Sequence, residues 1–177
     1  MRSGSTDRRI YVLDTTAFIA GPIDPTRDDL YTVPSVLEEV KRDLIQTARV
    51  EGLVVSGRVK VVQPPEREVE AVRVSSSRVG EGRRLSRTDV EVIALALHLR
   101  ETTGHEVVVL SDDYSVQNVA ETLGLQWSSL RHKGISARIE WEYYCPVCMR
   151  SYPSGRVRGC DVCGGPLRRR PSTLEEI

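Results

Sequence analysis

The sequence predicts an α/β fold, a mostly parallel sheet flanked by helices, followed by a small module organised around cysteines. Three observations carry that expectation. Short β-branched apolar runs alternate with helical patterns as far as about residue 128. Two of the main runs end in acidic residues. All four cysteines sit near the C-terminus as Cys145-Pro-Val-Cys148 and Cys160-Asp-Val-Cys163.

Ile10 to Leu13 is apolar on every residue and closes at Asp14, so it reads as a strand buried on both faces, with the acid at its C-terminal end. Pro34 opens a pattern in which Val36, Leu37, Val40, Leu44 and Ile45 recur at three-and-four spacing, predicting one helix packed on one face. Val59 to Gln63 reads as a second strand, stopped by Pro64-Pro65. Residues 66 to 79 suit a polar helix, but Ser75-Ser76-Ser77 and Gly80-Glu81-Gly82-Arg83-Arg84 weaken its end and predict a mobile loop over 76 to 85, a candidate substrate-gated element. Ser86-Arg87-Thr88-Asp89 has capping-box form ahead of a stripe of Val90, Ile93, Ala94 and Leu97, a helix that ends near Gly104. Glu106 to Leu110 is a third buried strand, Ser111-Asp112-Asp113 a turn, Tyr114 to Leu123 a helix with Gly124 at its C-cap, and Leu125-Gln126-Trp127 a last short strand. Short connections and right-handed crossovers then place a mostly parallel sheet between helices. This divides the chain into a body at 1–128 with its core from about residue 9, a basic linker at 129–140, a cysteine module at 141–170 and a tail at 171–177.

At 177 residues and 40% hydrophobic content the chain is long enough for one real core and a small module. No stretch approaches the ~18 apolar residues of a membrane span, and MRSGSTDRRIYVLD has no apolar run of signal-peptide length. A soluble protein in a reducing cytoplasm is the expectation. The zero net charge hides a split: residues 128 to 170 carry nine Lys or Arg against three acids, while the rest is acidic. A basic module that grips a polyanion beside an acid-bearing body explains that split, as does an ordinary solvated surface.

Each CxxC loop presents two thiolates, and eleven residues between the pairs suit a short hairpin, so Cys145, Cys148, Cys160 and Cys163 are candidate ligands of one tetrahedral Zn²⁺. Disulfides or buried free thiols are the alternative, one that belongs more naturally to a secreted chain.

In an open parallel sheet the crevice lies outside the carboxyl ends of the strands, and that is where Asp14 and the Asp112-Asp113 pair fall. Asp89, and Glu38 or Glu39, stand where their helices begin and can reach the same edge. Carboxylates gathered in one crevice raise each other's pKa until a cation relieves them, and hard oxygen donors favour Mg²⁺ or Mn²⁺. Such a site suits phosphodiester hydrolysis. Each acid also has a plainer role: Asp89 as a capping residue, Asp112 as a helix N-cap, and Glu38 and Glu39 as acids favoured by a helix dipole. Asp14, followed by the orienting hydroxyls of Thr15 and Thr16, resists such a reading best. There is no Walker-type phosphate loop, and His98, His105 and His132 are scattered without a nucleophile partner, which argues against triad chemistry.

Leu-Asp-Thr-Thr at 13 to 16, Val-Pro-Ser-Val-Leu-Glu-Glu-Val at 33 to 40, Leu-Ser-Arg-Thr-Asp at 85 to 89 with Ala-Leu-Ala behind it, and Ser-Asp-Asp-Tyr at 111 to 114 together resemble the PIN-domain nucleases, whose domain is a Rossmann-like sheet. With the cysteine pairs behind them, and Asp-Asp-Tyr-Ser-Val-Gln-Asn at 112 to 118, the chain resembles the archaeal Nob-type endoribonucleases, a PIN domain followed by a zinc ribbon. The resemblance implies metal-dependent cleavage of precursor 16S rRNA to its mature 3′ end on the small ribosomal subunit, with assembly factors as possible partners. By position it implies Asp14, Glu39, Asp89 and Asp113 as the four catalytic acids, with Asp112 able to share or replace the last. It implies Mg²⁺ or Mn²⁺ at Asp14, Asp89 and Asp113, and a structural Zn²⁺ on the cysteines. Ser111 stands where the family has threonine, which keeps the hydroxyl. Arg150, Arg156, Arg158 and Arg168 to Arg170, with Tyr143, Tyr144 and Tyr152, are candidates to hold RNA, although the tyrosines equally suit the ribbon's small core. A VapC-type toxin ribonuclease and a non-catalytic RNA-binding assembly adaptor are the competing readings.

Overall fold

A computed structural model describes residues 9–20, 29–41, 44–131, 134–152 and 159–176. His132, Lys133, Arg156 and Arg158, and the side chains of Leu44 and Ile45, lie outside them. Five parallel strands form the main sheet: β1 (Ile10–Leu13), β2 (Asp29–Thr32), β3 (Val59–Val61), β4 (Val107–Leu110) and β5 (Gln126–Ser128), in the order β3-β2-β1-β4-β5. The four expected strands are present. β2 is added: Asp-Leu-Tyr-Thr has too little apolar character to announce itself, and its pairing between β1 and β3 makes it a strand.

Helices α1 (Thr15–Ala20), α2 (Pro34–Val40), α3 (Leu44–Val55), α4 (Glu66–Arg78), α5 (Arg87–Thr103) and α6 (Tyr114–Thr122) connect the strands. Two helical expectations need correction. The single helix opened at Pro34 is two, α2 closing at Lys41 before α3 begins at Leu44. The loop expected from 76 starts later, because α4 continues through the serine run to Arg78. Ser76 is buried and its hydroxyl donates to the Arg73 carbonyl one turn back, so the serine serves the helix instead of breaking it. Beyond it, Glu81 is only 2% exposed, and its backbone N–H and that of Gly82 donate to the Ser76 carbonyl.

The core lies on both faces of the sheet. Val12, Leu13, Val109 and Leu110 from the central strands pack with Val92, Ile93, Leu95 and Ala96 of α5, all nearly or fully buried. α5 keeps the expected boundaries: the Ser86/Asp89 capping box is formed in both directions, and Gly104 closes the helix at a left-handed φ of 68°. No helix among the described residues is long and apolar enough to cross a membrane.

The C-terminal module is a second, antiparallel sheet of β6 (Ala137–Tyr144), β7 (Ser151–Tyr152) and β8 (Arg168–Glu176), ordered β7-β6-β8. β6 begins within the expected linker, and β8 occupies most of the expected tail, paired with β6 from Tyr144↔Arg168 to Ala137↔Glu176 with one register shift between Glu140 and Trp141. This long hairpin is fastened to the body. Asn118 of α6 behaves as one more strand residue: its amide nitrogen donates to Ile139 O (2.7 Å) while its oxygen accepts from Ile139 N (2.7 Å). Trp141 N donates to Val79 O (2.9 Å), and buried Glu81 accepts from Arg169 (3.0 Å), whose guanidinium lies 3.7 Å from the Trp141 ring centroid. Any side chain at Gly80 would run into Trp141 O, 2.4 Å from where its Cβ would stand, so the close approach requires glycine.

Candidate active site and cysteine centre

The strand order reverses between β1 and β4, and the crevice outside their carboxyl ends is where open α/β sheets bind ligands. β1 ends in Asp14 and β4 in Ser111-Asp112-Asp113, so the register itself brings them together. Ser111 joins the two: its Oγ donates to Asp14 Oδ2 (2.7 Å) and accepts from Asp113 N (3.1 Å). Thr16 Oγ1 donates to the same Asp14 oxygen (3.2 Å) and accepts from Asp112 N (3.2 Å), while Thr15 N donates to Asp14 Oδ1 (2.6 Å). Thr15 Oγ1 donates to Glu39 Oε2 (2.6 Å), which ties the acid of α2 to the end of β1. Asp89 enters from the first turn of α5, held by its capping box.

The electrostatics tie the same acids together. Burial pushes the Asp14 carboxyl up to about 6 and the neighbouring Asp89 charge adds to the shift, against the Ser111, Thr15 and Thr16 donors. Burial also raises Asp89, helped by the Asp113 and Glu39 charges and opposed by its bonds with Ser86. Among the described residues none of Asp14, Glu39, Asp89 or Asp113 is in an ion pair. Such carboxylates are the hard oxygen donors a divalent cation requires. No three of them among the described residues bring oxygens within 4.8 Å of one another.

The alternatives within the acid pairs separate geometrically. Asp113, not Asp112, caps α6, accepting from Ser115 N (2.6 Å). Asp112 Oδ1 instead accepts from Leu130 N (2.8 Å) and Arg131 N (3.1 Å) beyond β5. Glu38 is exposed, with its charge acting on Arg87, whereas Glu39 is engaged with Thr15. The sequence offered little warning of Ser35, whose hydroxyl donates to buried Glu91 (2.6 Å) and so joins the N-terminal turns of α2 and α5 that carry Glu39 and Asp89.

The four cysteine sulfurs form the other centre, all within 4.8 Å of one another. Cys145 Sγ is 3.4 Å from Cys163 Sγ, and Cys148 Sγ is 3.4 Å from Cys160 Sγ. Ligands about 2.3 Å from a tetrahedral zinc stand ~3.8 Å apart, so the cluster fits that ion. The two CxxC loops repeat one backbone pattern: Met149 N donates to Cys145 O and Cys145 N to Arg150 O, just as Gly164 N donates to Cys160 O and Cys160 N to Gly165 O. The repeat demands a left-handed residue at equivalent places, Gly164 (φ 70°) and Met149 (φ 60°). Tyr152 is buried against Cys145 and Cys160, and its hydroxyl, also bonded to Asp161, holds the Cys160 thiol down to about 6. Tyr152 therefore belongs to the module's core. Of the arginines expected to hold RNA, Arg169 and Arg170 are engaged within the protein, Arg170 with Glu142 (2.6 Å) and over the Tyr144 ring.

Carboxylates at the switch point of a parallel α/β sheet, with a four-thiolate module docked beside them, define a nuclease-fold enzyme with a zinc-ribbon-like module. Residues 11–99 match the family model described as the PIN domain of ribonuclease. The chain is 40% identical over 163 residues to the endoribonuclease Nob1 of Pyrococcus abyssi, covering 90% of this chain and 92% of that one. It is 37% identical over 160 residues to the endoribonuclease Nob1 of Methanothermobacter thermautotrophicus, at 90% and 91% coverage. Ribonuclease VapC3 of Aeropyrum pernix is 44% identical over 129 residues, 73% of this chain and 91% of its own. The chain belongs to the PIN-domain ribonuclease family.

Proposed function

We propose that the protein is a metal-dependent endoribonuclease that cuts precursor 16S rRNA at the mature 3′ end of the small-subunit RNA during ribosome assembly. The observation that supports this reading is the set of acids at the switch point, Asp14 and Asp113 joined by Ser111 and Glu39 tied to Thr15, with the charges of Asp89, Asp14, Asp113 and Glu39 acting on one another. Similarity to Nob1 endoribonucleases along 90% of the chain supports the choice of substrate.

A bound Mg²⁺ or Mn²⁺ supplies acidification of water and neutralisation of phosphate charge. The chain's part is to hold its ligands still. Ser111 and Thr16 leave Asp14 one fixed orientation, the capping box does the same for Asp89, and the N-cap bonds do so for Asp113. Glu39, aligned by Thr15, would complete the set of acids that holds the metal. Asp112, turned toward Leu130 and Arg131, positions the segment after β5. The four cysteines would hold one Zn²⁺ with protein ligands alone, a structural role that would fix the module presenting the hairpin to RNA.

The test is cleavage of an RNA spanning the 3′ end of the small-subunit rRNA, by wild type and Asp89→Asn, with Mn²⁺ and with chelator. One metal-dependent cut at the mature end, lost in the variant, is the expected result. The VapC relatives favour a second reading, a ribonuclease of another RNA. Metal-dependent cutting of other RNAs with this junction left intact would select it, and tight binding without cutting under any metal would select the adaptor.

A further inference from the structure

We infer that the cleft between α6 and the β6–β8 hairpin is the exit path of single-stranded RNA from the acid cluster, with Tyr114 stacking on a base next to the scissile phosphate and Arg84 pairing with the backbone. The inference rests on the nuclease reading above and adds residues to it.

The cleft has a volume of about 690 Å³. Asp113, Tyr114 and Arg84 line it together with Ile139 and Trp141 of the hairpin. Its lining therefore includes an acid of the cluster and residues of the hairpin whose β6 leads into the cysteine module, so a strand lying in it would touch both.

Most polar groups in the cleft are already used. Glu81, Arg169 and Asn118 fasten the hairpin, and Asp112 holds the segment after β5. Two are not. Tyr114 is 55% exposed, the one aromatic among the exposed large apolar side chains of the described residues. Arg84 is exposed and makes no ion pair or side-chain hydrogen bond among them. Tyr114 is the residue after the Asp113 cap, so the bonds that fix Asp113 also fix the backbone from which the ring projects beside the reaction centre. An exposed ring and an uncompensated guanidinium on one cleft are the pair of groups that single-stranded nucleic acid needs: a face for a base and a charge for a phosphate. Duplex RNA offers no unstacked base to such a ring, so the occupant is single-stranded.

Aromatic stacking in such sites is worth about 1–3 kcal/mol per base, or roughly fivefold to more than a hundredfold in affinity. The experiment uses the zinc-loaded full chain carrying Asp89→Asn, so that binding is read without cleavage. The probes are single-stranded RNAs with 2-aminopurine placed in turn at each of the three positions on either side of the junction. The expected result is fluorescence quenching at one position, retained in Tyr114→Phe and lost in Tyr114→Ala, with affinity reduced about tenfold. Arg84→Ala should lower the salt slope by about 0.7, the loss of one single-strand phosphate contact. Quenching that survives Tyr114→Ala, or an abasic residue that weakens wild type and Tyr114→Ala equally at every position, would overturn the proposal. These binding signals do not depend on cutting. A wild-type protein that fails to cut the junction while the Tyr114-dependent quench persists would instead count against the nuclease reading alone.

Discussion

Replacing Asp14 by Asn should abolish cleavage and yet stabilise the metal-free protein near neutral pH. The Asp14 carboxyl is moved from 3.8 to about 6, mainly by burial and then by the Asp89 charge. Its folded-state value is thus above its unfolded one, so the stability associated with the protonated form is fully present below about pH 4 and is lost as pH rises through 6. At about 1.36 kcal/mol per pKa unit the complete loss is about 3 kcal/mol, about 1 kcal/mol of it between pH 5 and 7. An amide at this position carries no charge and escapes the penalty. It also reverses one pairing among the Thr15, Thr16 and Ser111 donors, which takes back about 1 kcal/mol. The variant should then be more stable at pH 7 by about 2 kcal/mol, a rise of roughly 4–8 °C in Tm for a chain of this size. Thermal or urea unfolding of both proteins from pH 5 to 8, with zinc bound and no other divalent cation, measures the difference. The cysteine module titrates alike in both and cancels. Adding Mg²⁺ at pH 7 should stabilise wild type and leave the variant unmoved. Parallel pH curves, or a variant less stable than wild type at pH 7, would refute the argument that Asp14 is a buried, charged group awaiting a cation.

Tyr152→Phe removes the hydroxyl that holds Cys160 low, so protons should compete better for that sulfur. Zinc affinity, measured by competition with a colorimetric chelator, should fall tenfold to a hundredfold, and further at pH 6 than at pH 8. An unchanged affinity at both would dismiss that role. Asn118→Ala leaves the N–H and C=O of Ile139 without their partners and should destabilise the docked hairpin by about 2–3 kcal/mol. Hydrogen exchange should show the Ile139 amide losing protection, and retention of that protection would mean that other contacts carry the docking.

Strands β1 and β4 were legible because a strand buried on both faces must be apolar throughout, and a run such as Val107–Leu110 has no other stable home, while β3 and β5 were legible as short runs bounded by Pro64-Pro65 and by Gly124. α5 was legible from its capping box and Gly104, which act locally. The cysteine centre was legible for the same reason: two CxxC loops each prepare half a site before any tertiary contact exists.

Where information was not local, the sequence was silent or ambiguous. β2 is a strand because β1 and β3 flank it. The serine run stays helical because Ser76 has a carbonyl to bond one turn back and a buried place to occupy. Asp112 and Asp113 are adjacent identical residues, so no pattern could tell them apart. The turn into α6 points one at its own helix and the other at Leu130 and Arg131. The extra basic charge toward the C-terminus suggested a free RNA-binding surface, yet Arg169 and Arg170 are spent on Glu81 and Glu142, acids distant in sequence that only folding brings near. By itself, then, the sequence determined that β1, β3, β4, β5 and α5 form, that carboxylates close the central strands, and that four cysteines share one centre, because each is written in short-range spacing. The tertiary structure alone decided which carboxylates face one another, how Ser111 and Thr15 join them, and that the hairpin turns back to wall a cleft beside the acids, because those relations depend on strand order and on contacts between residues far apart along the chain.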